Sequence, residues 1–205
     1  GTDKDVFSKL NFIIEAGQRV AIIGPNGIGK TTLMRCLAGE LKPTAGRVTW
    51  VENAQPGYMP QDPQAEFESK VDLFSWMSMW TGKADDDQLV RATLGRLLFS
   101  GDETKKPVSV LSGGEKGRMM YGKLILTKPN VMLMDEPTNH MDMETIESLQ
   151  IGLEKYAGTL IFVSHDADDR VEAGWQRHRL HRQLRRVSGH AGARVVASPS
   201  GCGIK

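Results

Sequence analysis

The sequence predicts an α/β fold with a mostly parallel central sheet, and three observations support this class. Apolar strand-like segments alternate with amphipathic helix-like segments along most of the chain, an order typical of a parallel sheet with helices packed on it. One of these strands runs directly into the glycine-rich segment GPNGIGKT and then into a predicted helix. Two further segments, VMLMD and TLIFVS, are apolar without alternation, as are strands buried on both faces of a parallel sheet.

Length and composition are those of one soluble domain. The chain has 205 residues, of which 40% are hydrophobic and 25% charged, enough for one core with a small subdomain. No apolar run reaches the length of a membrane span, so we expect no membrane contact. Cys36 and Cys202 match neither a metal-binding spacing nor a disulfide framework, which predicts a reducing, cytoplasmic location.

Strands and helices can be predicted along the first part of the chain. Segments 10–14 and 19–23 are short β-branched runs that predict two strands joined by a turn, and 46–51 predicts another strand. We therefore expect antiparallel strands near the N-terminus, beside the parallel core. A helix is predicted from Lys30, with Gly39 marking its end. The segment GYMPQD predicts a short strand that ends in a polar loop.

The middle of the chain predicts an inserted helical subdomain. VDLFSWMSMW and DDQLVRATLGRLLF both fit amphipathic helices, and a further helix is predicted at 113–127. METIESLQIGLEKY predicts another helix between the two buried strands. We expect a discontinuous core formed by residues 1–65 and 127–167, with residues 66–126 as the helical subdomain.

The glycine-rich segment matches the phosphate-binding pattern G-x-x-x-x-G-K-[ST] and lies between a strand and a helix, the context that this motif needs. Its glycines allow several backbone N–H groups to surround phosphate oxygens, and the dipole of the following helix strengthens that site. Lys30 is expected to reach the β- and γ-phosphates, and Thr31 to bind Mg²⁺. The predicted nucleotide-binding residues are Gly24, Pro25, Asn26, Gly27, Ile28, Gly29, Lys30, Thr31 and Thr32.

Polar side chains follow the predicted parallel strands. Asp135 and Glu136 end the strand VMLMD, at the edge where ligands of open α/β sheets bind. Asp135 is suited to hold Mg²⁺, and Glu136 to orient the water that attacks the γ-phosphate. Gln61 follows GYMP and suits either Mg²⁺ or the attacking water, while His165 follows TLIFVS and suits the γ-phosphate. Taken alone, neither Gln61 nor His165 is a specific sign of a binding site. Their place beside the other motifs is what makes them candidates.

The stretch LSGGEKGR opens a predicted helix with two adjacent glycines, although glycine costs a helix about 1 kcal/mol relative to alanine. Ser112 and Glu115 have the S-x-x-E spacing of a capping box, which does not explain Gly113 and Gly114. Bare N–H groups at a helix N-terminus form an anion site. The chain therefore has two predicted phosphate-binding helix starts, and one nucleotide does not obviously need both.

The segments GPNGIGKTT, YMPQD, LSGGE, VMLMDEP, TNHMD and VSHD resemble, in that order, those of an ATP-binding-cassette (ABC) ATPase domain. The resemblance implies an ATPase that uses ATP and Mg²⁺ and that pairs with a second cassette, head to tail. Ser112, Gly113, Gly114 and Glu115 would then contact the ATP held by the partner cassette. One cassette is recognisable here, so we expect the partner in further sequence of a longer chain or in another copy.

Finer features are similar to those of the ABC-F proteins, especially the second cassette of the YbiT-like group. These features are EPTNHMD, LSGGEKGR and the segment from EFE to LGRLLF. The resemblance implies a cytoplasmic protein that binds ribosomes, with their rRNA and tRNA, and acts on translation without a membrane partner. Two alternatives stay open, namely the ATPase subunit of a membrane transporter and a nucleotide-binding fragment without turnover.

Residues 168–205 depart from this pattern. They contain eight Lys and Arg against three Asp and Glu, and seven of the eight are Arg. Three interpretations are open, namely a shifted reading frame, a divergent but folded end, and a basic RNA-binding tail, because Arg suits phosphate contacts. We expect an atypical tail that is frameshifted or disordered, and a sheet edge left uncovered by the strands that are no longer recognisable.

Overall fold

The computed structural model describes residues 6, 10–82, 86–138, 143–164, 187–188 and 194–198. The α-helices of this part of the chain are α1 (Lys30–Ala38), α2 (Leu73–Ser78), α3 (Asp87–Arg96), α4 (Gly113–Thr127) and α5 (Met143–Lys155). Its strands are β1 (Arg19–Ile23), β2 (Pro56–Met59), β3 (Val131–Asp135), β4 (Thr159–Ser164), β5 (Val187–Ser188) and β6 (Arg194–Ser198). Short 3₁₀ helices cover Gln64–Phe67, Gly101–Lys105 and Val108–Val110.

A mostly parallel sheet forms the centre of the fold, as the sequence predicts. The described strands run in the order β2-β3-β4-β1-β6-β5, and β2, β3, β4 and β1 are parallel to one another. β3 is buried along its whole length, and β4 is buried from Thr159 to Val163. The burial of these two strands therefore confirms the prediction made from their apolar sequences without alternation.

Apolar side chains form one cluster on each face of the sheet. Val131, Leu133, Ile161 and Val163 point into a cluster with α1, whereas the residues between them in β3 and β4 belong to a cluster with α2, α3 and α4. This alternation is the period of two that an extended strand imposes. Both sheet faces are thus covered, and the carboxyl ends of the parallel strands are held by packing from both sides.

The helix predictions hold best where terminal residues mark the ends. α1 ends as predicted at Gly39, whose φ of 80° lies in the left-handed region, where glycine meets no Cβ penalty. α4 has the predicted bounds, and its N-terminus carries the predicted capping box at Ser112 and Glu115. α2 is shorter than predicted because Asp72 starts it, accepting a hydrogen bond from Ser75 N at 2.8 Å. That bond lowers the pKa of Asp72.

The described segments 10–14 and 46–51 differ from their prediction, because neither forms a strand. Alternate side chains of 10–14 still pack against the α1 cluster, while Ile13 is 89% exposed. Trp50 packs against the same cluster and donates from Nε1 to Leu37 O at 3.1 Å. A strand needs a hydrogen-bonded neighbour as well as alternation, and within the described residues neither segment pairs with the sheet.

The prediction of an uncovered sheet edge is wrong. β6 pairs antiparallel with β1, so that Arg194 lies opposite Ile23 and Ser198 opposite Arg19, and β5 pairs with β6. The short run RVVAS within the Arg-rich tail supplies β6, and β5 lies at that edge of the sheet. Except for β5 and β6, residues 168–205 lie outside the described residues. The three interpretations of this tail, namely a shifted reading frame, a divergent but folded end and a basic RNA-binding tail, therefore stay open.

Helices α2, α3 and α4 pack together on one face of the sheet. Their shared cluster includes Leu73, Trp76, Leu94 and Met119, residues at helical spacing whose burial explains why this region is helical rather than extended. None of the helices in the described part of the chain combines the length and apolarity needed to traverse a lipid bilayer.

Arg19, at the start of β1, fixes the C-terminal end of α5 to the sheet. Its Nη2 atom donates to the backbone oxygens of Leu153 at 2.8 Å, Glu154 at 3.3 Å and Tyr156 at 3.0 Å. The last carbonyl groups of a helix have no partner within the helix, and a cation there also interacts favourably with the helix dipole. The strand that leads to the glycine-rich loop therefore also anchors α5.

Arg19→Met is expected to lower the free energy of unfolding by about 2 kcal/mol, because three carbonyl oxygens lose a charged donor. Arg19→Lys keeps the charge without the planar guanidinium and should recover part of that loss. Urea denaturation followed by circular dichroism measures both variants against the parent chain. An unchanged midpoint for Arg19→Met would contradict the anchoring of α5.

Candidate functional site

The carboxyl ends of β1, β3 and β4 meet at one edge of the sheet. In register, Ile23 lies beside Ser164, and Asp135 lies beside Val163. β1 continues into the glycine-rich loop, and β3 continues into Glu136. The loop and the two carboxylates therefore come together at the edge where ligands of parallel sheets bind.

The glycine-rich loop enters α1 through left-handed backbone. Gly27 has a φ of 77° and Gly29 a φ of 98°, values that glycine adopts easily. Gly29 is the N-cap of α1, and no side chain caps that helix start. The start of α1 therefore has no competing side-chain cap, the arrangement that the sequence predicts for phosphate.

Lys30 is the buried cation of this loop, with an exposed fraction of 5%. Its Nζ donates to Gly24 O at 2.7 Å and to Pro25 O at 3.1 Å. These two carbonyl groups offset part of the cost of burying a charge. Thr31 and Thr32 follow in the first turn of α1 and are half-buried. The loop thus combines a positive charge with backbone N–H groups, the donor set that phosphate oxygens require.

Asp135 and Glu136 follow one another at the end of β3 and are both buried, with exposed fractions of 0% and 8%. The backbone of Glu136 has a φ of 52°, a conformation that residues with a Cβ rarely adopt. Its N–H donates to Val163 O at 3.3 Å, which ties the turn to β4. Strained backbone of this kind is concentrated at functional sites.

Gln61 and Glu136 are in direct contact. The side-chain Nε2 of Gln61 donates to Oε2 of Glu136 at 2.7 Å, across 75 residues of sequence. The sequence predicts both residues for the site but not this hydrogen bond between them. Tyr58 lies just before this loop, and its pKa is raised by burial and by the negative charges of Asp135 and Glu40.

The second glycine-rich segment caps α4. Ser112 Oγ accepts from Glu115 N at 3.3 Å, and Glu115 Oε2 accepts from Ser112 N at 2.7 Å. The hydrogen bond from Ser112 N lowers the pKa of Glu115. Ser112 and Gly113 are exposed, and Gly114 is half-buried. The tip of the helix therefore faces solvent, as a contact with a partner would require.

The structure leaves one predicted site residue unplaced and adds contacts that the sequence does not predict. His165 lies outside the described residues, as do residues 139–142 of the segment TNHMD. Lys116 and Lys123 of α4 contact the 3₁₀ helix Gln64–Phe67, which follows Gln61. The seven-residue spacing of these lysines places them on one helix face, but the sequence gives no sign of their partners.

The residues at this edge fit a nucleoside triphosphate with Mg²⁺. The loop and Lys30 offer donors and positive charge suited to phosphates, and the side chains of Thr31, Gln61 and Asp135 carry oxygen atoms of the kind that Mg²⁺ takes as ligands. Mg²⁺ commonly takes one or two carboxylates and completes its shell with water and substrate phosphates. In the part of the chain that the structure describes, no group of three or more His, Cys, Asp or Glu side chains forms a separate metal site.

Comparison with known proteins gives concordant matches. The family model described as ABC transporter matches residues 7–139. The protein described as "Probable ATP-binding protein YbiT" of Escherichia coli O157:H7 is 57% identical over 163 residues, which are 80% of this chain and 31% of YbiT. ABC transporter F family member 2 of Arabidopsis thaliana is 41% identical over 167 residues, which are 80% of this chain and 24% of that protein. The chain thus spans less than a third of the length of these relatives.

A solved structure has a similar fold. The complex of the archaeal ribosomal stalk protein aP1 and the archaeal ribosome recycling factor aABCE1 matches with a TM-score of 0.62 and 28% identity. The match covers 79% of this chain and 31% of the other. The chain therefore belongs to the ABC transporter family.

Proposed function

We propose that this chain is an ATP-binding and ATP-hydrolysing cassette of a cytoplasmic ABC-F protein that acts on ribosomes in translation. The observation that carries the enzymatic part is the assembly at one sheet edge of three features. These are buried Lys30 inside the glycine-rich loop, buried Asp135, and Glu136 in contact with Gln61. The ribosomal part rests on the ABC-F resemblance and on the likeness to a ribosome recycling factor.

The loop and the carboxylates have different roles in the binding and hydrolysis of ATP. Lys30 and the backbone N–H groups of residues 24 and 26–32 bind the phosphates, and Thr31, Asp135 and Gln61 hold Mg²⁺. The ion, when bound, neutralises charge on the phosphate oxygens. Glu136 orients a water molecule for attack on the γ-phosphate and accepts its proton. His165 and Gln61 sense the γ-phosphate.

A second cassette completes the site. Each cassette supplies its glycine-rich loop to one ATP and the tip of its α4 to the other, so that Ser112, Gly113, Gly114 and Glu115 serve the partner's nucleotide. The solvent exposure of Ser112 and Gly113 supports this role. The second cassette lies either in the same longer chain or in another copy of it, and the ribosome with its rRNA and tRNA is the larger partner.

Glu136→Gln is expected to lower kcat for ATP at least about 100-fold, because the amide cannot accept a proton from the attacking water. ATP affinity should change little, since Lys30 and its loop are untouched. Phosphate release and binding of a fluorescent ATP analogue measure the two effects. Asp102→Asn is the control, because this carboxylate is 95% exposed on the 3₁₀ helix Gly101–Lys105. If Glu136→Gln hydrolysed ATP at the parent rate, Glu136 could not be the residue that orients the attacking water and accepts its proton.

Mixing two inactive variants tests whether α4 acts on the partner's ATP. Lys30→Ala removes the phosphate-binding cation, and Gly114→Asp places a negative charge where the partner's phosphate would lie. An acidic residue suits a helix N-terminus, so Gly114→Asp should fold. In a symmetric pair, each mixed dimer has one intact site, and the mixture should recover about a quarter of the parent activity. Steady-state ATPase assays at equal protein concentration measure this recovery.

The result of the mixing experiment depends on where the two parts act. If Lys30 and Gly114 served the same nucleotide within one chain, mixing would restore nothing, and the proposed pairing would be wrong. The ATPase rate of the parent chain gives a second test. A rate that rises more steeply than linearly with protein concentration would indicate that the chain pairs. A strictly linear rise would instead indicate that the chain acts alone.

ATP-bound Glu136→Gln is expected to cosediment with 70S ribosomes, because blocked hydrolysis prolongs the ATP-bound state. Lys30→Ala should stay in the supernatant, since it cannot retain ATP. Sedimentation through a sucrose cushion with ATP or ADP measures the difference. Recovery with membrane vesicles and not with ribosomes would instead favour the ATPase subunit of a transporter.

A further inference from the structure

The segment from Gln61 to Phe67 is held at both ends by different parts of the fold. At one end, Gln61 donates to Glu136 at the sheet edge. At the other end, the 3₁₀ helix Gln64–Phe67 contacts α4 through Lys116 and Lys123. The helix whose tip carries Ser112 is therefore connected, through one short segment, to the carboxylate proposed to orient water.

This segment has little conformational freedom. Pro60 and Pro63 fix their own φ angles and restrict the residues before them. Asp62 Oδ1 accepts from Gln64 N at 2.9 Å, which starts the 3₁₀ helix. Phe67 is fully buried and stacks on Trp76, with ring centroids 4.8 Å apart. A displacement at Phe67 therefore reaches Gln61 instead of being absorbed between them.

Lys123 makes the firmest contact between α4 and this segment. Its Nζ lies 2.8 Å from Oε1 and 2.6 Å from Oε2 of Glu66, and 3.9 Å from the ring centroid of Trp80. The side chains of Lys123 and Glu66 are only 17% and 32% exposed, so salt screens their attraction less than that of a surface pair. The Trp80 ring restricts the ammonium further through a cation–π contact. Trp76 Nε1 also donates to Glu66 O at 3.1 Å.

Lys116 adds a second contact on the same face of α4. It lies seven residues before Lys123, close to two full helical turns, and its Nζ donates to Oε1 of Gln64. Two lysines of α4 thus hold two residues of one 3₁₀ helix. A rotation or shift of α4 carries that helix with it.

We propose that Lys123, assisted by Lys116, is a positioning residue that sets Gln61 against Glu136 and so couples the placement of α4 to ATP hydrolysis. This inference rests on the proposed function, because it concerns the same catalytic carboxylate. Lys123 acts through Glu66 and the segment 61–67, and it lies eleven residues beyond Ser112 on α4. A partner that engages Ser112 therefore acts on Glu136 through α4 and Lys123.

The first test needs no turnover. Hydrogen–deuterium exchange of the nucleotide-free chain should be about tenfold faster at the backbone amides of 64–67 in Lys123→Met than in the parent, because local opening becomes easier. Exchange in α1 should stay unchanged. Lys105→Met is the matched control, because its pair with Asp102 is 79% and 95% exposed. Equal exchange at 64–67 in Lys123→Met and the parent would overturn the anchoring.

The second test separates positioning from a loss of structure. Lys123→Met should lower kcat about tenfold, while KM for ATP stays within about twofold of the parent, because the glycine-rich loop is untouched. Lys123→Arg should restore most of kcat, and so should exchanging the charges in the double variant Glu66→Lys with Lys123→Glu. A lower kcat that neither variant restores, or an unchanged kcat in Lys123→Met, would overturn the coupling.

The two tests also separate this inference from the proposed function. A parent chain without ATP turnover under pairing conditions overturns the proposed hydrolytic function. In that case the hydrogen–deuterium exchange of Lys123→Met and the parent alone decides the role of Lys123, because exchange at residues 64–67 reports directly on how firmly that segment is held. Turnover by the parent together with faster exchange, lower kcat and rescue supports both.

Discussion

The parallel pairing of β3, β4 and β1 is the constraint on which the rest of the structure depends. It places Ile23 beside Ser164 and Asp135 beside Val163, so that the strand ends meet at one edge. A slip of one residue would turn each side chain to the opposite face, and the two apolar clusters would lose their alternation. Packing of both faces thus fixes the register, and the register brings the glycine-rich loop and the carboxylates together.

The two glycine-rich helix starts differ in how they are capped. α1 begins at Gly29, which has no side chain to satisfy the N–H groups of the first turn. α4 begins with a reciprocal capping box between Ser112 and Glu115. No side chain caps the first helix start, whereas at the second the capping box satisfies the N–H groups of Ser112 and Glu115. The first is the proposed site of the chain's own nucleotide, and the second is the proposed contact with the nucleotide of a partner.

The sequence predicts the fold class, the helix α4 to its terminal residues, and the placement of Lys30, Asp135 and Glu136, because local patterns determine all of them. It does not predict contacts between distant segments, such as the hydrogen bond from Gln61 to Glu136. The strand predictions at 10–14 and 46–51 fail because alternation measures burial and not pairing. The sequence gives little indication of β6, because its short β-branched run lies in an Arg- and Gly-rich tail.

Lys30 is held in place by Gly24 O and Pro25 O before any phosphate arrives. The rotamer entropy of a lysine side chain, up to about 2 kcal/mol, is therefore lost when the chain folds and not when a ligand binds. Because this entropy is already lost, binding of the phosphate group to the loop depends less on contacts with other parts of the ligand. A small inorganic anion such as sulfate or free phosphate, with no base or sugar, thus meets a loop that is already arranged to receive it.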